Sequence, residues 1–226
     1  MGLDGVAASV RNAASAVFGD RVEQAIGYVE LLEQHGVERG LIGPREVDRL
    51  WERHVLNSAV IGERIADGAR VVDVGSGAGL PGVPLAISRP DLDIVLLEPM
   101  ARRVDWLAEV AEKLDLPLTV VRGRAEERQI REELGGADVV TARAVAPLAR
   151  LANWCLPLVR SQGALVALKG ASAGEEIERD RVAVRKAGGD EPEVFECGSQ
   201  VLEVPSTVVV IHRLPPKQSR PRGRRN

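Results

Sequence analysis

The sequence predicts an α/β fold: a doubly wound, mostly parallel, seven-stranded sheet of the Rossmann-like type, preceded by a helical extension. Three observations carry this. Short β-branched runs at 71–74, 94–97, 118–121, 138–141 and 164–168 alternate with helical patterns, as in a parallel sheet covered on both faces. The first run ends in Asp73 and breaks into Gly75-Ser76-Gly77-Ala78-Gly79-Leu80-Pro81-Gly82, a strand-to-helix turn that brings backbone close to a ligand. The hydrophobic period also changes, from helical before Gly68 to strand-like after it.

Residues 1–66 read as the helical extension. Val22, Ala25, Ile26, Val29 and Leu32 recur at helical spacing until Gly36 and Gly40 interrupt them. Gly43-Pro44 opens another helix, with Pro at the tolerated first position and a stripe of Val47, Leu50, Trp51, His54, Ser58 and Ile61. A lone His54 on that stripe is expected to be a hydrogen-bonded core residue. Residues 67–214 form the sheet domain. Its helices are expected at 84–88, along Val104, Leu107, Ala108, Ala111 and Leu114, and along Leu148, Leu151, Ala152 and Cys155. Two β-rich runs, 193–197 and 207–213, are separated by a polar loop and Pro205 and read as a hairpin closing one sheet edge. Residues 215–226 read as a disordered basic tail.

Composition narrows the class. A chain of 226 residues suits one α/β domain with a small extension, and no apolar run approaches a membrane span. No basic segment followed by an apolar block marks a secretory signal, so a cytoplasmic setting is expected. Cys155 and Cys197 are too few for a disulfide framework and lack metal-ligand spacing, and no clustered His/Cys pattern suggests a metal. The net charge of −3 hides an asymmetry: Lys217, Arg220, Arg222, Arg224 and Arg225 stand in an acid-free tail. Such a tail attracts phosphate backbones or simply solubilises the chain. Six aromatics in all argue against a base-stacking platform.

The glycine segment favours S-adenosylmethionine over a dinucleotide. A G-x-G-x-x-G fingerprint needs its third glycine at position 80, which is Leu80. Asp73 would repel a pyrophosphate but suits the sulfonium and ammonium groups of S-adenosylmethionine. Gly75 and Gly77 would line that ligand. Glu98, ending the second strand, is placed to accept ribose hydroxyl hydrogen bonds. The loop with Ala125 and Glu126 after the third strand is placed to reach an adenine. Arg143 ends the fourth strand and Lys169 follows the fifth. Two cations at that rim favour an anionic or guanine-containing acceptor, because an arginine fork matches the O6/N7 edge of guanine. No Asn/Asp-Pro-Pro-aromatic loop and no Pro-Cys follows the fourth strand, so neither exocyclic-amine methylation nor a cysteine adduct is supported.

These residues closely resemble the small-subunit ribosomal RNA methyltransferase G family, RsmG or GidB, over most of the chain. The resemblance rests on the segment from Asp73 to Ala86, with its Gly79-Leu80-Pro81-Gly82 core, on Arg124-Ala125-Glu126-Glu127, on Thr141-Ala142-Arg143-Ala144, on Leu168-Lys169-Gly170 and on Arg53-His54. Asn57 and Thr141 stand where the family commonly has Asp and Ser, and Ala101-Arg102-Arg103 where it often has a Lys pair, swaps that keep size or charge. The resemblance implies a class I methyltransferase that moves a methyl group from S-adenosylmethionine to N7 of one guanine in 16S ribosomal RNA, in a loop near the decoding site. It aligns Gly75, Leu80, Ala125, Glu126 and Arg143 with cofactor-binding positions. Arg143 and Lys169 are the candidate catalytic residues, 16S ribosomal RNA or the small subunit the partner, and a monomer the expected state. The competing readings are a methyltransferase acting on another RNA or a small molecule, an RNA-binding ribosome-assembly factor with a vestigial pocket, and, more distantly, an NAD-dependent oxidoreductase.

Overall fold

The computed structural model describes residues 3–143 and 146–215. The tail expected over 215–226 therefore lies, from residue 216 onward, outside the described residues, as does Ala144. Seven strands form one sheet in the order β3-β2-β1-β4-β5-β7-β6. They are β1 (Arg70–Val74), β2 (Asp93–Glu98), β3 (Thr119–Arg122), β4 (Ala137–Arg143), β5 (Val159–Leu168), β6 (Glu193–Cys197) and β7 (Ser206–His212). The first five pair in parallel; β7 runs antiparallel to both β5 and β6, which makes the closing hairpin. The strand order reverses between β1 and β4, and the loops leaving their carboxyl ends frame the crevice where such sheets bind ligands.

Strand parity divides the core in two. Val71, Ile94, Leu96, Val139 and Val166 face α1 (Ala8–Phe18), α2 (Val22–His35), the helical segment 44–64, α4 (Gly82–Ser88) and α5 (Ala101–Lys113). Val72, Val95, Leu97, Val140 and Leu165 face α6 (Arg128–Leu134), α7 (Leu148–Cys155) and α8 (Ala173–Lys186). α3 is the single α-helical turn Asn57–Ala59 inside the 44–64 segment. The extension shares the first of these cores: Phe18, Tyr28, Leu32, Trp51 and Ile61 pack in one cluster with the β1 and β2 side chains. None of the helices is long and apolar enough to cross a membrane, among the described residues.

Three departures from the sequence expectations have physical causes. The helix expected from Pro44 is a composite of a 3₁₀ stretch (Pro44–Arg49), a wide π-type stretch (Leu50–Leu56), α3 and a closing 3₁₀ turn (Val60–Arg64). The widened turns bury Leu50, Trp51, Val55 and Leu56, more than one α-helical stripe presents. β5 starts at Val159 rather than at 164, because Gln162 takes a positive φ of 64° and the β4 register shifts between Ala137 and Val139. The helix α8, which the apolar pattern did not reveal, buries Ala173, Ile177, Asp180 and Val184. An acid sits within its stripe, and its function is to cap: Asp180 Oδ2 accepts the Ala149 N–H at 3.0 Å at the start of α7.

Candidate active site

The loop after β1 is built from glycines with positive φ: 73° at Gly75, 58° at Gly77 and 110° at Gly79. At Gly79 any side chain would be strained twice, since a Cβ would also lie 2.7 Å from Val83 and 3.0 Å from the Tyr28 hydroxyl. Gly82 is needed for another reason. A Cβ there would meet Leu96 Cδ2 at 2.2 Å and Asp73 Oδ2 at 2.9 Å, so the start of α4 presses directly on the sheet. Gly82→Ala should therefore cost about 1–3 kcal/mol through overpacking, read as a lower urea midpoint at unchanged slope.

The loop N–H groups do not face outward as the glycine spacing suggests. Those of Gly75 and Ser76 donate to the Leu97 carbonyl at 2.8 and 3.3 Å, and those of Gly79 and Leu80 donate to the Ser76 carbonyl at 2.7 and 3.0 Å. The Gly77 N–H donates to Glu98 Oε2 at 2.9 Å and the Gly82 N–H to Asp73 Oδ2 at 3.1 Å. A loop knitted this way offers no nest of free donors for a pyrophosphate, which disfavours a dinucleotide on structural grounds.

Asp73 lies beneath the loop with no exposed surface. Its Oδ2 holds Gly82, and its Oδ1 accepts from the Thr141 hydroxyl at 3.2 Å, across the switch point. Burial pushes its carboxyl up to about 6, against the hydrogen bonds from Ser76, Gly82 and Thr141 that pull it down. Its carboxylate thus ties loop to sheet rather than lining the opening. Glu98 is 1 % exposed; its Oε1 accepts the Met100 N–H at 3.0 Å, and Arg103 Nη1 stands 3.9 Å from its Oε2. Unlike Glu98, Arg103 lines the smaller cleft described below, and the sequence did not single it out. Its signal was no more than the Arg102-Arg103 pair at the start of α5.

The Ala78 carbonyl accepts two buried donors, the Tyr28 hydroxyl at 3.0 Å and Trp106 Nε1 at 2.8 Å. Through Tyr28 the extension holds the glycine loop. Tyr28→Phe should cost about 1 kcal/mol of stability, the usual net worth of a buried hydrogen bond, and a thermal or urea titration reads it.

Two cavities open at the carboxyl ends of the strands. The smaller, about 340 Å³, is lined by Gly75, Gly77, Leu80, Ile42, Arg103 and Arg143 among others. The larger, about 1300 Å³, is lined by Arg53, Lys169, Arg179, Glu176, Val204 and Arg143 among others. Glu46, His54 and Arg143 line both and form the partition between them.

Strand parity sends the two candidate catalytic cations to opposite sheet faces. Arg143 follows Val139 and Thr141 toward the extension. Its Nη1 donates to the His54 carbonyl at 3.1 Å and to Ser58 Oγ at 3.0 Å, and its Nη2 donates to the Arg53 carbonyl at 2.9 Å and to His54 Nδ1 at 2.5 Å. Lys169 lies on the side of α8, where its Nζ donates to Glu176 Oε2 at 2.7 Å and to the Ala146 carbonyl at 3.1 Å. Glu176 Oε2 also accepts the Leu148 N–H at 3.1 Å, so Lys169 is part of the α7 cap as well as of the cavity wall. Ala125 is buried and Glu126 exposed on the loop after β3, and neither they nor Asp73 and Glu98 belong to the lining of the two cavities. Cys155 is fully buried and burial pushes its thiol up, so it is no nucleophile.

Other proteins share this architecture. The fold matches a TehB-like SAM-dependent methyltransferase from Corynebacterium glutamicum with a TM-score of 0.55 at 14% identity, covering 80% of this chain and 97% of that one. It also matches Aeropyrum pernix fibrillarin, solved with bound S-adenosyl-L-methionine, with a TM-score of 0.52 at 16% identity, covering 70% and 74%. In sequence the chain is 58% identical to the ribosomal RNA small subunit methyltransferase G of Rhodococcus jostii, over 92% of each. It is 57% identical to the protein of that name in Mycobacterium marinum, over 89% of each. The GidB family model, described as rRNA small subunit methyltransferase G, matches residues 21–204, a span that takes in the glycine loop, the Glu46–His54–Arg143 partition and Lys169. With the loop, the partition and the α7 cap all inside that match, the chain belongs to the GidB family.

Proposed function

We propose that this protein transfers the methyl group of S-adenosylmethionine to N7 of one guanine in 16S ribosomal RNA, near the decoding site. Membership of a family of small-subunit ribosomal RNA methyltransferases supports the substrate class. The observation that carries the site assignment is the shared partition: one cleft of ligand size faces the glycine loop, a larger cavity lies behind, and Arg143 borders both.

The smaller cleft fits the cofactor. Gly75, Gly77 and Leu80 would line it, Glu98 would take the ribose hydroxyls in place of the Gly77 N–H, and Ala125 and Glu126 would meet the adenine from the β3 loop. Asp73 acts from below, holding the loop and contributing negative charge under the site. When bound, S-adenosylmethionine supplies an electrophilic methyl on a sulfonium.

The remaining work falls to the chain. N7 of guanine carries an in-plane lone pair and no proton, so no side chain has to act as general base. What the residues supply is alignment and exclusion of water, a proximity effect worth up to ~7–11 kcal/mol in well-oriented systems. Arg143 is placed to border the acceptor on the methyl-transfer side. Lys169 offers a cation at the far wall for guanine O6 or a phosphate once Glu176 releases it. Arg53 and Arg179, with side chains 56% and 59% exposed on the larger cavity, are placed for the RNA backbone. In this reading the protein works as a monomer in the cytoplasm, with its ribosomal substrate.

The test is methylation of 16S ribosomal RNA or small subunits taken from a strain lacking the protein, followed by strand cleavage at 7-methylguanine. One cleavage site near the decoding region is expected. A different methylated base overturns the N7 assignment. No methyl incorporation, together with no S-adenosylmethionine heat in calorimetry, would favour an assembly factor with a vestigial pocket.

A further inference from the structure

His54 is held at both ends of its ring. Nδ1 lies 2.5 Å from Arg143 Nη2, and Nε2 lies 2.8 Å from Glu46 Oε2. A guanidinium can only donate, so Nδ1 has to be bare and accept. The ring proton then sits on Nε2 and is donated to the Glu46 carboxylate. Both partners therefore select one neutral tautomer. The three residues come from three separate places in the chain: Glu46 from the 3₁₀ stretch Pro44–Arg49, His54 from the π-type stretch Leu50–Leu56, and Arg143 from the end of β4.

The electrostatics agree with the geometry. Burial and the Arg143 charge hold His54 below its ordinary value, while Glu46 pulls the other way. The hydrogen bond from His54 holds Glu46 below the usual carboxylate range. The charged groups acting on the ring are Arg143 from β4, Glu46 from the preceding stretch and Arg53 from its own, with Arg49 beside Glu46. A second proton on His54 would turn Nδ1 into a donor facing a donor. Arg143 would then keep the two backbone carbonyls and Ser58, but its Nη2 would lose one of two acceptors and hold only the Arg53 carbonyl.

We propose that His54 is the positioning residue for Arg143 and that Glu46 sets its tautomer. The pair acts as a two-step brace in the partition between the cofactor cleft and the acceptor cavity. The inference rests on the reading above, in which Arg143 borders the point of methyl transfer. It assigns no contact with the reacting atoms to His54 itself. Arg143 is the group that touches substrate, and the imidazole governs where its fork stands.

Two measurements decide the matter. The first needs neither RNA nor cofactor: ¹⁵N spectra of the imidazoles of the full chain at pH 7, with His54 told apart from His35 and His212 by its loss in a His54 variant. A bare Nδ1 and a protonated Nε2 are expected. The opposite tautomer, or a charged ring, overturns the proposal whether or not the protein methylates RNA. The second compares two amides. In His54→Gln the side-chain amide reaches the Nε2 position and still meets Glu46, but offers Arg143 no acceptor. In His54→Asn the carbonyl falls near Nδ1 and does. His54→Gln is expected to lower kcat about 10- to 100-fold, the loss of one charge-assisted hydrogen bond, with KM for S-adenosylmethionine changed less than about 3-fold. His54→Asn is expected to recover most of that loss at an equal or lower Tm. Equal kcat losses in both variants that follow their Tm would show a merely structural role and overturn the proposal; so would an unchanged kcat in His54→Gln. If the unaltered protein methylates nothing, the functional reading fails, and the imidazole spectra still decide whether the brace exists.

Discussion

Arg143→Lys is expected to lower kcat/KM for methyl transfer about 100-fold while the fold persists. The arginine fork makes four contacts, two from each Nη, to two carbonyls, one hydroxyl and one imidazole nitrogen. A lysine ammonium is a point charge with three rotatable donors and cannot span the Nη1 and Nη2 sets at once. Hydrogen bonds to charged groups are each worth about 1.5–3 kcal/mol, or roughly 10- to 150-fold in rate when they hold a group in its working position. Arg143→Ala is the blunter variant, because it leaves the Arg53 and His54 carbonyls without this donor and mixes a stability loss into the rate. Single-turnover methylation with Arg143→Lys, alongside a melting curve, separates the two effects. Unchanged turnover would remove Arg143 from the site.

The second large effect is a pH dependence of stability centred on Asp73. Its folded value of about 6 lies above the ordinary 3.8. Between those two values the folded protein binds more protons than the unfolded chain, so this group's contribution to stability falls as pH rises through the window. Well above pH 6, where the buried carboxyl is ionised, the accumulated cost approaches about 3 kcal/mol. Asp73→Asn removes the titration while keeping an acceptor for the Thr141 hydroxyl. The stability difference between the native protein and Asp73→Asn should therefore shift against the native protein by about 2 kcal/mol from pH 4 to pH 7. Urea unfolding at a series of pH values measures it. A flat difference would show that Asp73 is ionised without penalty in the fold. Exposed acids such as Asp91, which the Arg89 guanidinium holds below the ordinary carboxylate range, act in the opposite direction but are common to both proteins and cancel.

Much of the fold was legible because local chemistry repeats. Val71–Val74 and Ile94–Leu97 lie in strands buried on both faces, and continuous apolar runs of that length are what a covered parallel sheet needs. The hairpin of β6 and β7 followed from two β-branched runs with a loop between them. The helix α8 escaped because Asp180 replaces an apolar residue in its stripe, and its capping partner Ala149 is remote in sequence. The sequence shows the composite helix at 44–64 only as one regular helix, because a hydrophobic period does not report how wide the turns are.

The site divides along the same line. The glycine turn with Gly75, Gly77 and Leu80, and the position of Glu98 at the end of β2, could be located from spacing, since glycine turns and strand ends leave local signatures; which ligand they meet could not. The reach of Asp73 could not. An acid before a glycine turn is consistent with facing a ligand or with holding Gly82 and Thr141, and only packing shows the second. The same is true of the two cations. Both stand at strand ends, but alternation along β4 and β5 turns Arg143 toward the extension and Lys169 toward α8.

The sequence by itself determined the succession of the strands, the glycine turn and the absence of a dinucleotide fingerprint, because each depends on residues close together in the chain. The tertiary structure alone decided which partners those residues meet. Arg143 finds His54 across 89 positions, and Tyr28 reaches the Ala78 carbonyl across 50. Local pattern encodes backbone conformation and burial, whereas a hydrogen bond between distant segments exists only once the whole sheet has brought them together.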